Sequence, residues 1–263
     1  MKESEAIYLK QMFFDTMLTA SIISGDKTVT RRKLKIPKNT YTDRYPVPSE
    51  TVLYNFNGIK ARFNIGDIFG TQIKAPYRTG DIVLVRETSH LNKVIDRKSP
   101  KVSMCFKADG RCMGFDVTEF EMNRLLKLTD KKKEQWLSPY YVTQATSRLF
   151  LEITDVRIER LQDITDEQAL QEGIKEYMTD DMRTYYAPSK QWCCEFASKR
   201  RNRNDWQEKL STPVKAFREV YESTLKKKDT GICDWQSNPY VWVIEFRKVD
   251  REYALEKEKN NER

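Results

Sequence analysis

Lys27, Thr28, Thr30, Arg31 and Arg32 place one ammonium, two hydroxyls and two guanidiniums within six residues, a set of groups suited to meeting an anion. From Lys27 to Lys38 there are six cationic side chains, Lys27, Arg31, Arg32, Lys33, Lys35 and Lys38, and no acidic one. Such a run serves either as a solvated basic loop or as a holder of phosphate. The elements around it follow from local signals. Asp15 predicts a helix N-cap, Met17, Leu18, Ile22 and Ile23 recur at helical spacing, and Gly25 falls where a left-handed residue ends a helix. Lys27 and Thr30 therefore leave a helix end and enter an extended segment.

A carboxylate joins these groups from far along the chain. Thr165 predicts the cap of a short helix, Gln168 closes a capping box, Ile164 staples onto Ala169, and Gly173 stops the helix. Glu172 is thereby held in the last turn, where the helix dipole disfavours negative charge, so another contact has to require it. Ile82 to Val85 is an apolar, β-branched run that reads as a strand buried on both faces, with Arg86 and Glu87 at its end. Met104 and Phe106 mark another strand before the turn at Ala108, Asp109 and Gly110. After Arg148, Leu149, Leu151 and Ile153 share one phase, and Val156 and Ile158 take the other, which predicts a bulge or bend at Thr154 and Asp155. Thr212 and Pro213 start a helix with Val214, Phe217, Val220, Tyr221 and Leu225 inward, and Tyr240 to Val249 form a final strand. The order of elements predicts an α+β fold.

The chain has 263 residues with 47 Lys and Arg against 39 Asp and Glu, a net charge of +8, and is 39% hydrophobic. That favours a polyanionic partner, nucleic acid before membrane. No apolar run approaches the roughly 20 residues that span a bilayer, and Met1 to Lys10 is too polar for a secretory signal, so a cytoplasmic protein is expected. The five cysteines, irregularly spaced with Cys193 beside Cys194, read as reduced thiols. Cys105, Cys112 and the sole histidine, His90, read as core or surface residues, so no metal and no cofactor is expected, nor a His-based catalytic centre. Residues 10–249 read as one domain with insertions near 39–65, 116–135 and 175–212, and the densely charged residues 250–263 as a frayed helix or disordered tail. The last insertion holds Tyr185, Tyr186, Trp192, Lys199, Arg200, Arg201, Arg203 and Trp206, which either stack and neutralise a single strand or pin the insertion to the core.

Gly25, Lys27, Thr30 and Arg32 fall on the four defined positions of a Gly-x-Lys-x-x-Thr-x-Arg signature, and the segment resembles that of ASCH domains, relatives of the PUA fold. Three further segments resemble the same family in the same order: Gly80 to Thr88, Ser147 and Arg148 running into Leu149 to Thr154, and Asn238 to Phe246. They are most similar to the long ASCH proteins of phages and prophages, whose Met-Pro-Arg-Trp-like stretch is replaced here by Tyr140 to Thr146. The resemblance implies a PUA-like β-barrel with peripheral helices. It implies binding of RNA, or of a nucleotide or modified nucleoside, with Lys27, Arg31, Arg32, Arg86 and Arg148 on phosphate and DNA left open as an alternative. A second implied activity is metal-independent amidohydrolysis of N4-acylated cytidine by Lys27, Thr30 and Glu172. A third is a phage-encoded module that binds a protein.

Overall fold

The computed structural model describes residues 9–34, 52–55, 59–65, 68–130, 136–199, 205–227, 231 and 233–261. They form a mixed α+β protein. The first elements are β1 (Lys10–Phe13), α1 (Thr16–Ser24), β2 (Val29–Lys33), β3 (Val52–Asn55), β4 (Ile59–Ile65), β5 (Ile68–Lys74) and β6 (Ile82–Arg86). There follow β7 (Ser89–Asp96), β8 (Lys101–Phe106), β9 (Cys112–Asp116), α2 (Glu119–Asp130), β10 (Phe150–Arg160) and α3 (Asp166–Gln171). The chain ends with β11 (Lys175–Met178), β12 (Thr184–Ala187), α4 (Lys190–Ser198), α5 (Asp205–Lys209), α6 (Pro213–Ser223), β13 (Tyr240–Val249) and α7 (Arg251–Asn261). The chain divides into two compact units, one of Met1–Gly25, Ile82–Glu152 and Arg247–Arg263, the other of Asp26–Asp81 and Ile153–Phe246.

In the first unit β6 lies between β1, parallel to it, and the start of β10, antiparallel, with Leu84 opposite both Gln11 and Phe150. Ile82, Val83, Leu84 and Val85 are all at most 1% exposed, as their continuous apolar run requires. Helix α1 opens on Asp15, whose carboxylate accepts from Leu18 N at 2.7 Å, and closes on Gly25 at φ 87°, a left-handed conformation that glycine adopts without strain. A second sheet, β7–β8–β9, carries a cluster of Val102, Met104, Phe106 and Phe115 that packs with Met122 and Leu125 of α2. Cys105 and Cys112 stand opposite one another on β8 and β9 and are joined as a disulfide, which corrects the expectation of five reduced thiols. A hairpin brings the two together across a seven-residue separation that shows no framework spacing in the sequence.

In the charged C-terminal segment, Arg251–Asn261 form helix α7. Ala254 of α7 is fully buried among Leu9, Ile82, Leu84 and Phe150. Arg251 donates to the carbonyls of Ala145 and Ser147, and Lys257 and Arg247 both meet the Glu152 carboxylate. One small apolar residue and a set of placed charges dock a helix that composition alone describes as solvated.

In the second unit β2 pairs antiparallel with β13, Thr30 opposite Ile244 and Arg31 opposite Val243, and the strand order runs β10–β13–β2. Val29, Val241 and Val243 pack with Leu161, Ile164, Ala169 and the α6 residues Phe217 and Val220. Helices α3 and α6 begin as expected, on Thr165 with its capping box and on Thr212 followed by Pro213. Strand β10 runs unbroken through Thr154 and Asp155; what changes there is burial, from a stretch covered on both faces to one partly open. Strands β3, β4 and β5 pair antiparallel in that order, β3 and β4 within the 39–65 insertion, and the remainder of that insertion lies outside the described residues. In the 175–212 insertion, Tyr177, Tyr185, Tyr186, Trp192 and Trp206 pack against the unit's core, the pinning role, while Arg200, Arg201 and Arg203 lie outside the described residues. Among the described residues no sheet closes into a barrel.

Ala254→Asp places a charge among apolar side chains and is expected to lower stability by about 3 kcal/mol, against less than about 0.5 for the exposed Glu252→Gln. Urea unfolding of both variants checks this; equal midpoints would show that α7 is not docked.

Candidate functional site

Lys27 and Glu172 meet because two backbone segments are laid side by side. Thr28 N donates to Gln171 O at 2.9 Å, and Lys27 and Glu172 form an isolated antiparallel bridge. Successive carbonyls on a strand alternate sides; that of Thr28 accepts from Phe246 N, so that of Val29 points away from β13. No strand pairs with the outer side of β2 among the described residues. The Lys27 ammonium fills this gap: its Nζ donates to Val29 O at 2.8 Å, to Glu172 O at 2.9 Å and to Glu172 Oε2 at 2.6 Å. Glu172 is the C-cap of α3, so one contact satisfies a carbonyl left open at a helix end and another neutralises the carboxylate that end disfavours. Both residues are buried, Lys27 at 2% and Glu172 at 6% exposure.

Arg31 clamps the second carboxylate oxygen, with NH1 3.3 Å from Glu172 Oε1. Its NH2 donates to Glu159 Oε2 at 3.0 Å and to Gln168 Oε1 at 2.8 Å, and its Nε is buried without a hydrogen-bond partner among the described residues. Glu159 in turn accepts from Arg157 Nε at 2.6 Å, and Arg157 also holds Asp155 and Glu245. Charges therefore alternate from Lys27 through Glu172, Arg31 and Glu159 to Arg157. Burial works against the Arg157 charge, but its three carboxylates outweigh that and hold the guanidinium protonated well beyond its usual range. Glu159 and Gln168 are absent from the sequence-derived site. Gln168 is legible there only as a capping-box residue, and it fills both roles, its Oε1 also accepting from Thr165 N at 3.2 Å.

Thr30 lies between Val29 and Arg31, so strand alternation turns its side chain to the opposite face of β2, with Arg32, Ile244 and Trp242. No hydrogen bond joins its hydroxyl to Lys27 or Glu172 among the described residues. The link is through the backbone, since the carbonyl that accepts from Lys27 belongs to the peptide joining Val29 to Thr30. Arg32 is half-buried and faces Tyr77, whose phenol is raised above its usual value by burial, with Arg32 acting in the opposite sense.

Arg86 and Arg148 belong to the other unit. Arg148 grips Glu87 through Nε and NH2 at 2.9 and 2.8 Å and Asp109 through NH1 and NH2 at 2.9 Å each, and stacks 4.1 Å from the Phe106 ring centroid. Burial pushes the Asp109 carboxyl up, but the Arg148 hydrogen bonds prevail and leave it below its usual range. Arg86 donates to Tyr140 O at 2.9 Å and lies over Phe13. Of the five cations read as phosphate ligands, Lys27, Arg31 and Arg148 are thus engaged by carboxylates. Comparison with protein-family models gives no match, and comparisons with curated proteins and with solved structures give none either.

Removing one partner of a buried ion pair leaves the other charged and unmatched. Lys27→Met and Glu172→Gln are each expected to cost about 3–5 kcal/mol. Because they share one contact, the double variant should cost less than the sum by more than about 1 kcal/mol. Denaturant unfolding of all four proteins measures this; additive losses would show that the pair is not coupled.

Proposed function

We propose that the chain is an ASCH-type protein of the PUA-like class, with the barrel of that class, whose pocket beside β2 takes a nucleotide or modified nucleoside, free or within RNA. The observation that carries this is the 2.6 Å contact between the signature residue Lys27 and Glu172, 145 residues apart, in a buried setting. A buried ion pair is often no more stabilising than apolar residues of the same size, so stability alone is a weak reason to keep one. In this reading Lys27, Glu172 and Arg31 form the polar frame of the pocket, and Arg32, on the Thr30 face, meets phosphate. RNA affinity should then fall steeply with salt, and Arg32→Ala should flatten the slope by about one unit per lost phosphate contact. An unchanged slope removes Arg32 from the interface.

The signature also admits a second reading, amidohydrolysis of an acylated cytidine, which requires Thr30 Oγ1 to be brought round from the opposite face of β2 to the Lys27–Glu172 pair. Thr30 Oγ1 would attack the acyl carbon, the C–N bond would break with the exocyclic amine taking a proton, and water would then release the acid from the threonine ester. Glu172, accepting from both Lys27 and Arg31, would take the Thr30 proton, and the Lys27 ammonium would meet the oxyanion, only after a rearrangement that frees one Lys27 hydrogen bond and brings Thr30 to their side of β2. The protein, with no added metal, should release acetate from N4-acetylcytidine, and Thr30→Val, nearly isosteric, should abolish release with the fold retained. Turnover that survives Thr30→Val would end this mechanism; binding without turnover would leave the first reading alone.

A further inference from the structure

The 175–212 insertion does more than anchor itself. Between the β11–β12 hairpin and helices α4 and α5 lies an open groove of about 810 Å³, within the roughly 300–1,000 Å³ typical of small-ligand sites. Tyr185 and Trp206 meet edge to face at 5.7 Å along it, and Lys190, Cys193, Cys194 and Ala197, at helical spacing, bring one face of α4 to it. Arg183 ties the hairpin to α5 through Gln207 Oε1 at 3.1 Å and pairs with Asp181 at 3.1 Å, so those two charges cancel. Lys190 differs. It is exposed, opens α4 just after the Ser189 cap, and its ammonium has no carboxylate partner among the described residues, only the Tyr177 ring at 6.0 Å. An unmatched cation at a helix start favours an anion, and partly exposed rings favour a planar group beside it. Asp180 adds an acceptor suited to an exocyclic amine.

We propose that this groove is a second nucleotide site, with the base against Tyr185 and Trp206, its amino group toward Asp180 and the phosphate at Lys190. The choice of a nucleotide over another anionic ring compound rests on the function proposed above; the groove itself does not involve Lys27, Thr30 or Glu172. The occupant is either a free nucleoside monophosphate or one residue of a single strand, which present the same chemistry.

Cys194 makes the test direct. It is an exposed thiol on the groove wall, whereas Cys233 is buried, and burial, with Cys194 adjacent, pushes Cys193 up to about 11. Alkylation by iodoacetamide near neutral pH, located by mass spectrometry, therefore reports on the groove. With cytidine monophosphate or a short oligocytidylate at about ten times its Kd, the Cys194 rate should fall about tenfold. Lys190→Glu, an exposed change, should remove the protection, and Thr30→Val should leave it intact. Protection by the monophosphate assigns the groove to a free nucleotide, and protection by the oligomer alone assigns it to a strand. An unchanged rate with millimolar amounts of both, or protection that survives Lys190→Glu or is lost in Thr30→Val, overturns the proposal. Cys194 protection without any nucleoside chemistry or RNA binding at β2 would overturn only the earlier reading.

Discussion

The Lys27 ammonium sits where three separate demands coincide: an outward carbonyl on a strand without an outer neighbour among the described residues, an open carbonyl at the end of α3, and a carboxylate that this helix end disfavours. Each carbonyl alone could be met by water, and the carboxylate alone by any nearby cation. Together they fix the place where residue 27 meets residue 172. Once that contact forms, Arg31 is turned toward Glu172, Glu159 and Gln168, and α3 is held against the edge of β2 over Val29 and Val243. An apolar pair could fill the same volume but would leave Val29 O and Glu172 O unsatisfied, at about 1–3 kcal/mol each.

Local chemistry explains which parts of this were legible in the sequence. The caps of α1, α3 and α6 depend on residues within four positions of one another, and Asp15, Thr165 and Thr212 all act as their types and spacing predict. The misplaced charge of Glu172 was also a usable signal, because a carboxylate at a helix C-terminus asks for a cation. The identity of that cation came from the signature, not from physics. Arg31 gave no such signal, since its partners Glu159 and Gln168 come from β10 and α3 and only tertiary structure unites them. Ala254 shows the reverse error: averaging over a charged segment conceals the single buried residue that docks it.

The internal use of charge leaves the +8 balance as it is, since that figure already subtracts the carboxylates, but it removes particular cations from the set that could meet a ligand. Lys27, Arg31, Arg148 and Arg157 are each matched by at least one carboxylate, so a count of Lys and Arg overstates the field available to an external polyanion. Nucleic-acid affinity, if carried by this fold, then depends on cations without such matches. Lys190 is one among the described residues, and it stands beside the groove that Tyr185 and Trp206 line with Asp180 and Asp181.

Strand β2 divides the chemistry by parity. Val29 and Arg31 face the core and the charge ladder, while Thr30 and Arg32 face the other side with Trp242 and Ile244. A one-residue slip of β2 against β13 would bury Arg32 where Arg31 now meets its carboxylates and would take Val29 from its cluster with Val243 and Ile164, so the ladder and the apolar packing select the same register. The Lys27 hydrogen bond to Val29 O adds a third constraint, on the peptide that immediately precedes Thr30. The position of the Thr30 hydroxyl is thus set by a lysine on the far side of a peptide bond. Loss of the Lys27 side chain would free that peptide and displace Thr30 even if the lysine never touched a substrate. A defect caused by Lys27→Met is consequently ambiguous between chemistry and placement, and Thr30→Val, which leaves the ladder intact, is the cleaner probe of the reacting group.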